Sequence, residues 1–202
     1  FLYSTNVGAG LPILKTIRDL VDTGDQIQSI EAVLSGTLSF IFNDLQDSFG
    51  KKVREAMTLG FTEPDPRDDL SGQDVLRKMT IITREMGFNY ENIQPENLVP
   101  PNLSNVSKEE FIERLEEIQI TSPKNQVLRY VASWNQNSGI KVGLKSFPTD
   151  HPMAALKFAD NILIVHSERY NKQPLIIQGP GAGPEVTAGG VFADILRLMG
   201  SL

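Results

Sequence analysis

Residues 62–78 read Thr-Glu-Pro-Asp-Pro-Arg-Asp-Asp-Leu-Ser-Gly-Gln-Asp-Val-Leu-Arg-Lys. The segment holds five carboxylates and three cations on a backbone that Pro64 and Pro66 stiffen. Each proline fixes its own φ and disfavours helix in the residue before it, so we expect residues 63–66 to run extended and then to enter a helix. We call residues 63–69 the acidic elbow. Its composition indicates a site for a polar, partly cationic small molecule, with Lys78 as a candidate proton donor.

The helix after the acidic elbow is predicted to begin near Asp69 or Ser71 and to run to Gly87. Its buried row consists of apolar residues that recur at helical spacing: Val75, Met79, Ile82 and Met86. A neighbouring row, rotated by about 60–100°, contains Asp74, Lys78 and Ile81. Asp74 and Lys78 are therefore predicted at the margin of the core. Two interpretations stay open for them: an active-site pair, or a solvated i,i+4 ion pair worth about 0.2–0.5 kcal/mol.

Smaller features of the acidic elbow have local interpretations. Asp68 or Asp69 is the predicted N-cap of the helix, and Asp69 is also the one of these acids that we expect to touch a ligand. Arg67 is expected to pair with the neighbouring acids and not with a phosphate.

Apolar periodicity and turn residues predict the elements upstream of the elbow. Residues 1–7 predict a strand, and Pro12 begins a helix that ends at Gly24. Residues Ile27 to Leu34 predict another strand. The tripeptide Ser35-Gly36-Thr37 opens a helix, and a short helix covers about Val53 to Leu59.

The part of the chain downstream of the elbow helix is mainly β. Residues 88–106 predict a loop, and Ser107 with Glu110 forms a capping box for a further helix. A glycine-rich turn at residues 179–183 leads into a last helix, about Val186 to Met199. The predicted strands are Val127 to Trp134, Ile140 to Leu144, Ile162 to His166 and Leu175 to Ile177. We therefore expect an α+β fold in which helices pack on a mixed β-sheet.

Composition excludes several classes of protein. The 202 residues suit one large domain or two small ones, and the formal net charge of −6 argues against a nucleic-acid binder. With no cysteine and only His151 and His166, a zinc site is not expected, and both histidines are read as structural. No apolar run approaches the roughly 20 residues of a membrane span, and we expect a cytoplasmic location. Because the chain begins with Phe1, we expect it to be part of a longer protein.

Four segments together resemble homoserine dehydrogenase and fall in the order found in that family. They are residues 6–12 (Asn-Val-Gly-Ala-Gly-Leu-Pro), residues 35–42 (Ser-Gly-Thr-Leu-Ser-Phe-Ile-Phe), residues 62–78, and residues 179–191, which begin Gly-Pro-Gly-Ala-Gly. The third segment is long and unusual in composition, so it carries most of the resemblance. The match is most similar to the dehydrogenase part of bifunctional aspartate kinase–homoserine dehydrogenases.

The resemblance implies an oxidoreductase that interconverts aspartate 4-semialdehyde and L-homoserine with NADPH or NADH, in threonine, methionine and isoleucine biosynthesis. It implies that residues 1–202 form the catalytic and dimerisation region, without the family's N-terminal dinucleotide-binding domain. A homodimer is expected, built on the strands after Val127. The fragment alone is expected to be inactive, and the preference between NAD and NADP would be set in the domain that is missing.

The resemblance also implies roles for individual residues. Lys78 matches the family's proton donor, and its substrate-binding residues correspond to Thr37, Glu63, Asp69 and Asp74. Gly181 and Gly183 lie where the family contacts its nicotinamide cofactor. The backbone of Val7, Ala9 and Leu11 matches a site for a monovalent cation such as Na⁺, although no acidic residue occurs among Tyr3, Ser4 and Thr5, where the family has one.

Alternatives remain for the function and for the glycine turn. The second functional hypothesis is a non-catalytic amino-acid-binding or oligomerisation module derived from the same family. Taken by itself, the turn at residues 179–183 is equally typical of a tight strand-to-helix connection, since no Gly-Lys-Ser/Thr follows it.

Overall fold

The structure is a computed structural model that describes residues 2–43, 45 and 48–200. Its centre is a five-stranded sheet of order β3-β2-β1-β4-β5. The strands are β1 (Ile27–Val33), β2 (Gln126–Asn135), β3 (Gly139–Pro148), β4 (Asp160–Ser167) and β5 (Leu175–Pro180). All four pairings are antiparallel, whereas a mixed sheet was expected. The predicted α+β class and the positions of the strands from Ile27 onward are confirmed.

The described residues also form seven helices. They are α1 (Ile13–Asp22), α2 (Gly36–Asn43), α3 (Phe49–Thr58), α4 (Pro66–Leu70), α5 (Gln73–Glu85), α6 (Lys108–Glu113) and α7 (Pro184–Gly200). The main core lies between α1, α2, α5 and the sheet, and it includes Tyr130 and Trp134, each 1 % exposed. On the opposite face, the short 3-10 turn Pro152–Ala155 covers a smaller apolar cluster. The rest of that opposite face carries no helix among the described residues.

The predicted strand over residues 1–7 is wrong. Residues Ser4–Asn6 form a 3-10 turn, while Phe1 lies outside the described residues. The Ser4 amide and hydroxyl donate to the carboxylate of Asp194 on α7, at 2.9 and 2.7 Å. This long-range contact replaces the strand pairing that the apolar pattern alone suggested.

The single helix predicted after the acidic elbow is divided into α4 and α5. Gly72 separates them with φ +71, a left-handed conformation that favours glycine. A Cβ at this position would overlap the hydroxyl of Tyr130, so the close approach of the sheet also requires glycine at the break. The N-cap of α4 is Asp65, whose Oδ1 accepts from the Arg67 amide at 3.0 Å, and the expected cap at Asp68 or Asp69 is wrong.

Other helix predictions hold, with shifted ends. The helix expected over Val53 to Leu59 begins earlier, at Phe49, because Ser48 caps it with a bond from the Lys51 amide at 3.3 Å. Ser107 caps α6 as expected, but the Glu110 side chain pairs with Arg114 and so completes no capping box. No helix in the described part of the chain has the length and hydropathy needed to cross a membrane.

The buried Arg129 ties the two sides of the sheet together. Its guanidinium donates to the carbonyl of Phe42, near the end of α2, and to the Met153 carbonyl at 3.0 Å. Burial lowers the pKa of Arg129. Its hydrogen-bond partners among the described residues are all backbone carbonyl oxygens. The contact with Met153 anchors the 3-10 turn Pro152–Ala155, which precedes β4.

Candidate active site

The residues predicted to bind substrate and cofactor meet at one cavity of about 650 Å³. The cavity lies between the start of α2, the acidic elbow, α5, the loop before β4 and the glycine turn after β5. Its lining contains every residue predicted for catalysis, substrate binding or cofactor binding, namely Thr37, Glu63, Asp69, Asp74, Lys78, Gly181 and Gly183. Segments separated by more than a hundred residues in sequence therefore form a single concave surface.

Lys78 reaches this cavity from α5. Its ammonium donates to the Leu34 carbonyl, at the end of β1, at 2.9 Å, and lies 2.7 Å from Oδ2 of Asp74. An ammonium has three N–H groups, so one remains for a ligand in the cavity. The Lys78 side chain is 21 % exposed, at the margin of the core as predicted, but the Asp74 side chain is 56 % exposed and lies further out.

Asp69 holds the acidic elbow against α2. Its Oδ2 accepts from the backbone amide of Glu63 at 2.8 Å, and its Oδ1 lies 2.8 Å from the hydroxyl of Thr37. The same hydroxyl lies 2.6 Å from the Phe61 carbonyl, so its single proton serves one acceptor at a time. Burial raises the pKa of Asp69, against the opposing effect of these hydrogen bonds.

The charge of the cavity suits a cationic ligand. Of the described residues that line it, Lys78 carries an ammonium and four carry carboxylates: Glu63, Asp69, Asp74 and Asp160. Glu63 is exposed and directs its side chain from an anchored backbone. Glu63, Asp69 and Asp74 also border an adjoining hollow of about 370 Å³. Asp160 was missed by the sequence reasoning because this first residue of β4 belongs to no recognisable motif.

The glycine turn forms another part of the cavity wall. Gly183 has φ +122, which side chains rarely tolerate, and a Cβ on Gly181 would overlap the buried amide of Asn161. Residues 181–183 therefore line the cavity with two glycines and the small side chain of Ala182, just before the first turn of α7. This arrangement fits a flat ring placed close to the backbone, as the cofactor prediction requires.

An apolar rim was not predicted from the sequence. Leu59, Phe61 and Phe158 line the mouth of the cavity, and Phe158 is 72 % exposed with φ +49. Neither spacing nor composition marks Phe158, because its position depends on the turn that Arg129 anchors.

Residues 7–11, where a monovalent-cation site was predicted, form a tight turn. Gly8 and Ala9 have φ +76 and +51, and both are buried. The carbonyls of Val7 and Ala9 accept no hydrogen bond from the described residues, while the Leu11 carbonyl accepts from the Ile13 amide at 2.8 Å. Carbonyl oxygens are suitable ligands for a hard monovalent cation, so the residues present fit the site.

The remaining predicted side chains lie outside the cavity. His151 accepts from the Met153 amide at 3.2 Å, which confirms a structural role, and His166 lies on the sheet face opposite the helices. Arg67 pairs with Asp65 at 2.6 Å, as expected for a cation within the elbow.

Comparison with known proteins identifies the family. A family model described as homoserine dehydrogenase matches residues 12–196. The chain is 49 % identical to the chloroplastic bifunctional aspartokinase/homoserine dehydrogenase 1 of Arabidopsis thaliana, over 98 % of this chain and 23 % of that relative. It is 44 % identical to the homoserine dehydrogenase of Paracoccidioides brasiliensis, over 98 % of this chain and 59 % of that relative. The chain thus spans only part of the length of these relatives.

Solved structures share the fold. A Candida auris protein of unknown function superposes with a TM-score of 0.90 at 41 % identity, covering 96 % of this chain and 60 % of that one. A hyperthermophilic archaeal homoserine dehydrogenase in complex with NADPH superposes with a TM-score of 0.71 at 24 % identity, covering 100 % of this chain and 56 % of that one.

Proposed function

This chain belongs to the homoserine dehydrogenase family, and we propose that it forms the catalytic and dimerisation portion of an enzyme that interconverts aspartate 4-semialdehyde and L-homoserine. The observation that carries the proposal is the meeting of Lys78, the carboxylates of the acidic elbow and the glycine turn at one cavity. The reaction belongs to threonine, methionine and isoleucine biosynthesis. The non-catalytic alternative is not favoured, because the relatives that match nearly the whole chain are named as dehydrogenases.

Lys78 is the proposed proton donor. Reduction of an aldehyde leaves negative charge on its oxygen, and a positioned acid must neutralise that charge. The Leu34 carbonyl and Asp74 hold the ammonium by two contacts, which leaves one N–H for the substrate oxygen. In the reverse direction the same amine accepts the hydroxyl proton of homoserine.

The carboxylates are proposed to bind the α-ammonium group of the substrate. Glu63 and Asp74 border both the main cavity and the adjoining hollow, so an ammonium between them would have two charged acceptors. Asp69 and Thr37 contribute by fixing the acidic elbow and by adding negative charge to the same wall.

The glycine turn is proposed to face the nicotinamide end of NADPH or NADH, which supplies the hydride when bound. Gly181 and Gly183 would admit the ring close to the backbone, and the rest of the cofactor would be held by a dinucleotide-binding domain elsewhere in the enzyme. Residues 1–202 are therefore proposed to lack turnover when isolated. A monovalent cation on the carbonyls of Val7, Ala9 and Leu11 is proposed to stiffen the neighbouring loop.

The open sheet face is proposed as a homodimer interface. Glu31, Ser133, Lys141, Lys145 and His166 line a hollow of about 680 Å³ on the face that no described helix covers. We expect Ser133→Trp to dissociate the complete protein into monomers in sedimentation velocity, with Ser122→Trp, an exposed site off the sheet, as control. A dimer that survives Ser133→Trp would place the interface elsewhere. The cytoplasmic location also remains a proposal, and the Arabidopsis relative is named as chloroplastic.

The complete gene product tests the reaction most directly. Oxidation of NADPH or NADH, followed by absorbance, should depend on aspartate 4-semialdehyde. Succinic semialdehyde lacks only the α-amino group, so losing charged hydrogen bonds should lower kcat/KM by roughly a hundredfold or more. Equal rates with both aldehydes would refute the role of the carboxylates. Binding of homoserine in calorimetry without any turnover would support the non-catalytic alternative instead.

A further inference from the structure

One buried polar side chain beside the cavity has no hydrogen-bond partner. Asn161, the second residue of β4, is 0 % exposed. Among the described residues, nothing accepts from its Nδ2 or donates to its Oδ1. Leaving a buried polar group unpaired is costly, and buried amides in native proteins are nearly always bonded. The amide therefore points to a partner that arrives in another state of the protein.

The position of the Asn161 amide shows which segment of the chain is near enough to bond to it. Asn161 pairs with Gly179 across β4 and β5, and its side chain packs directly against the Cα of Gly181. A Cβ on Gly181 would come within 2.5 Å of Oδ1 of Asn161. The amide thus lies directly beneath the glycine turn, on the side away from the cavity that the turn lines.

Residues 181–183 of the glycine turn have no regular secondary structure of their own. Pro180, the last residue of β5, pairs with Asp160, and α7 begins at Pro184, so residues 181–183 connect two fixed elements. A small displacement of this connection would bring its backbone N–H and C=O groups onto the Asn161 amide. An amide can accept from one of them and donate to another at the same time.

We propose that Asn161 is a positioning residue that holds the glycine turn in its cofactor-bound conformation. Its Oδ1 accepts a backbone N–H of residues 181–183 and its Nδ2 donates to a carbonyl of the same turn once the nicotinamide nucleotide is in place. The inference rests on the proposed function, since it assumes that the turn contacts that nucleotide. Without the nucleotide the amide stays unpaired, so the protein trades stability for affinity at this position.

Asn161→Leu in the complete enzyme tests the idea, because leucine has nearly the same shape and no polar atoms. We expect the thermal midpoint without cofactor to stay equal or to rise, while the Kd for NADPH or NADH, from fluorescence titration, rises about tenfold. The KM for aspartate 4-semialdehyde should change less than about twofold. Thr83→Val is the matched control, a buried polar-to-apolar change on α5 whose hydroxyl bonds to the Thr80 carbonyl at 3.1 Å. It should leave the Kd unchanged.

A double variant distinguishes hydrogen bonding by Asn161 from its steric contact with residue 181. Gly181→Ala alone should weaken cofactor binding, because its Cβ would overlap the Asn161 amide. Asn161→Ala opens room for that Cβ, so the double variant should regain stability but keep a Kd about tenfold above wild type.

Full recovery of cofactor affinity in the double variant would overturn the proposal. The proposal would also fail if Asn161→Leu lowered the thermal midpoint without cofactor and left the Kd for the cofactor unchanged. These results would leave the proposed function intact. A wild-type enzyme that bound no nicotinamide nucleotide would overturn both.

Discussion

Replacing Lys78 by methionine separates the catalytic interpretation of this residue from the structural one. The change keeps an unbranched side chain that is one heavy atom shorter, and it removes the ammonium that lies 2.9 Å from the Leu34 carbonyl and 2.7 Å from Asp74. Asp74→Asn is the matched variant, because it removes the same ion pair and leaves the ammonium in the cavity. If the pair were only a solvated i,i+4 contact, both variants would behave alike.

The expected loss of turnover is much larger than the expected loss of thermal stability. Removing a positioned acid typically lowers turnover by about 10²–10⁴-fold, and removing a donor to a developing oxyanion lowers it by about 10²–10³-fold. These effects overlap on one group, so we expect kcat of Lys78→Met to fall roughly a thousandfold. The lost ion pair is worth about 0.2–0.5 kcal/mol and the lost bond to a carbonyl about 1 kcal/mol, which together shift Tm by only a few degrees.

The assay is reduction of aspartate 4-semialdehyde by the complete enzyme, with thermal unfolding measured on the same preparations. Lys78→Met should lose turnover with a small change in KM and in Tm. Asp74→Asn should keep kcat within about tenfold and raise KM, since it removes one acceptor for the α-ammonium. A Lys78→Met enzyme that retains kcat within threefold of wild type would refute the assignment.

Three further predictions concern the stability contributed by Asp69, Glu85 and Gly72. Burial raises the folded-state pKa of Asp69 above its unfolded value, which is near 3.9. The protonated side chain therefore contributes stability that is fully present below the unfolded pKa and is lost as the pH rises through the raised folded pKa. Asp69→Asn should therefore match or exceed wild-type Tm at pH 7, with no difference at pH 3, while homoserine binding weakens; equal destabilisation at both pH values would contradict this. The Arg18 guanidinium lowers the pKa of Glu85, so the stability from this pair is present at neutral pH and is lost as pH falls through the lowered pKa. Glu85→Gln should lower the free energy of unfolding by roughly 1–3 kcal/mol at pH 7 in urea titrations and by progressively less as the pH falls through that lowered pKa; a difference that stays constant with pH would exclude the pair as its cause. Gly72→Ala should cost roughly 2–4 kcal/mol in the same titrations, because its φ is +71 and a Cβ would overlap the Tyr130 hydroxyl; a neutral effect would mean that the break between α4 and α5 is not fixed there.

Local patterns predicted most of the elements, and the family resemblance supplied Gly181, Gly183 and the charged residues of the cavity other than Asp160, whereas the apolar rim was not predicted. The strands from Ile27 onward carry β-branched residues bounded by turn residues, and the row at Val75, Met79 and Ile82 is buried as its spacing requires. These features depend on neighbours in sequence, so sequence is sufficient to find them. One local signal was misread: Pro66 at the first helical position identifies Asp65 as the N-cap.

Features that depend on distant contacts were not predictable in this way. Ser4 takes its conformation from Asp194, and Gly72 takes its conformation from Tyr130. Asn161 appears in a run of strand residues, where nothing indicates that its amide is unpaired beneath Gly181. In each case the deciding partner lies tens to hundreds of residues away in sequence, so no window of local sequence contains the interaction.

The break at Gly72 is what allows the acidic elbow and α5 to act on one ligand. Asp69 and Asp74 are five residues apart, and an unbroken helix at 3.6 residues per turn would point them about 140° away from each other. Only one of the two carboxylates would then reach the cavity. Because the left-handed residue ends α4 and begins α5 in a new direction, Asp69 and Asp74 both line the cavity with Lys78. The helix that periodicity predicts as continuous would therefore lack the charge arrangement on which the proposed chemistry depends.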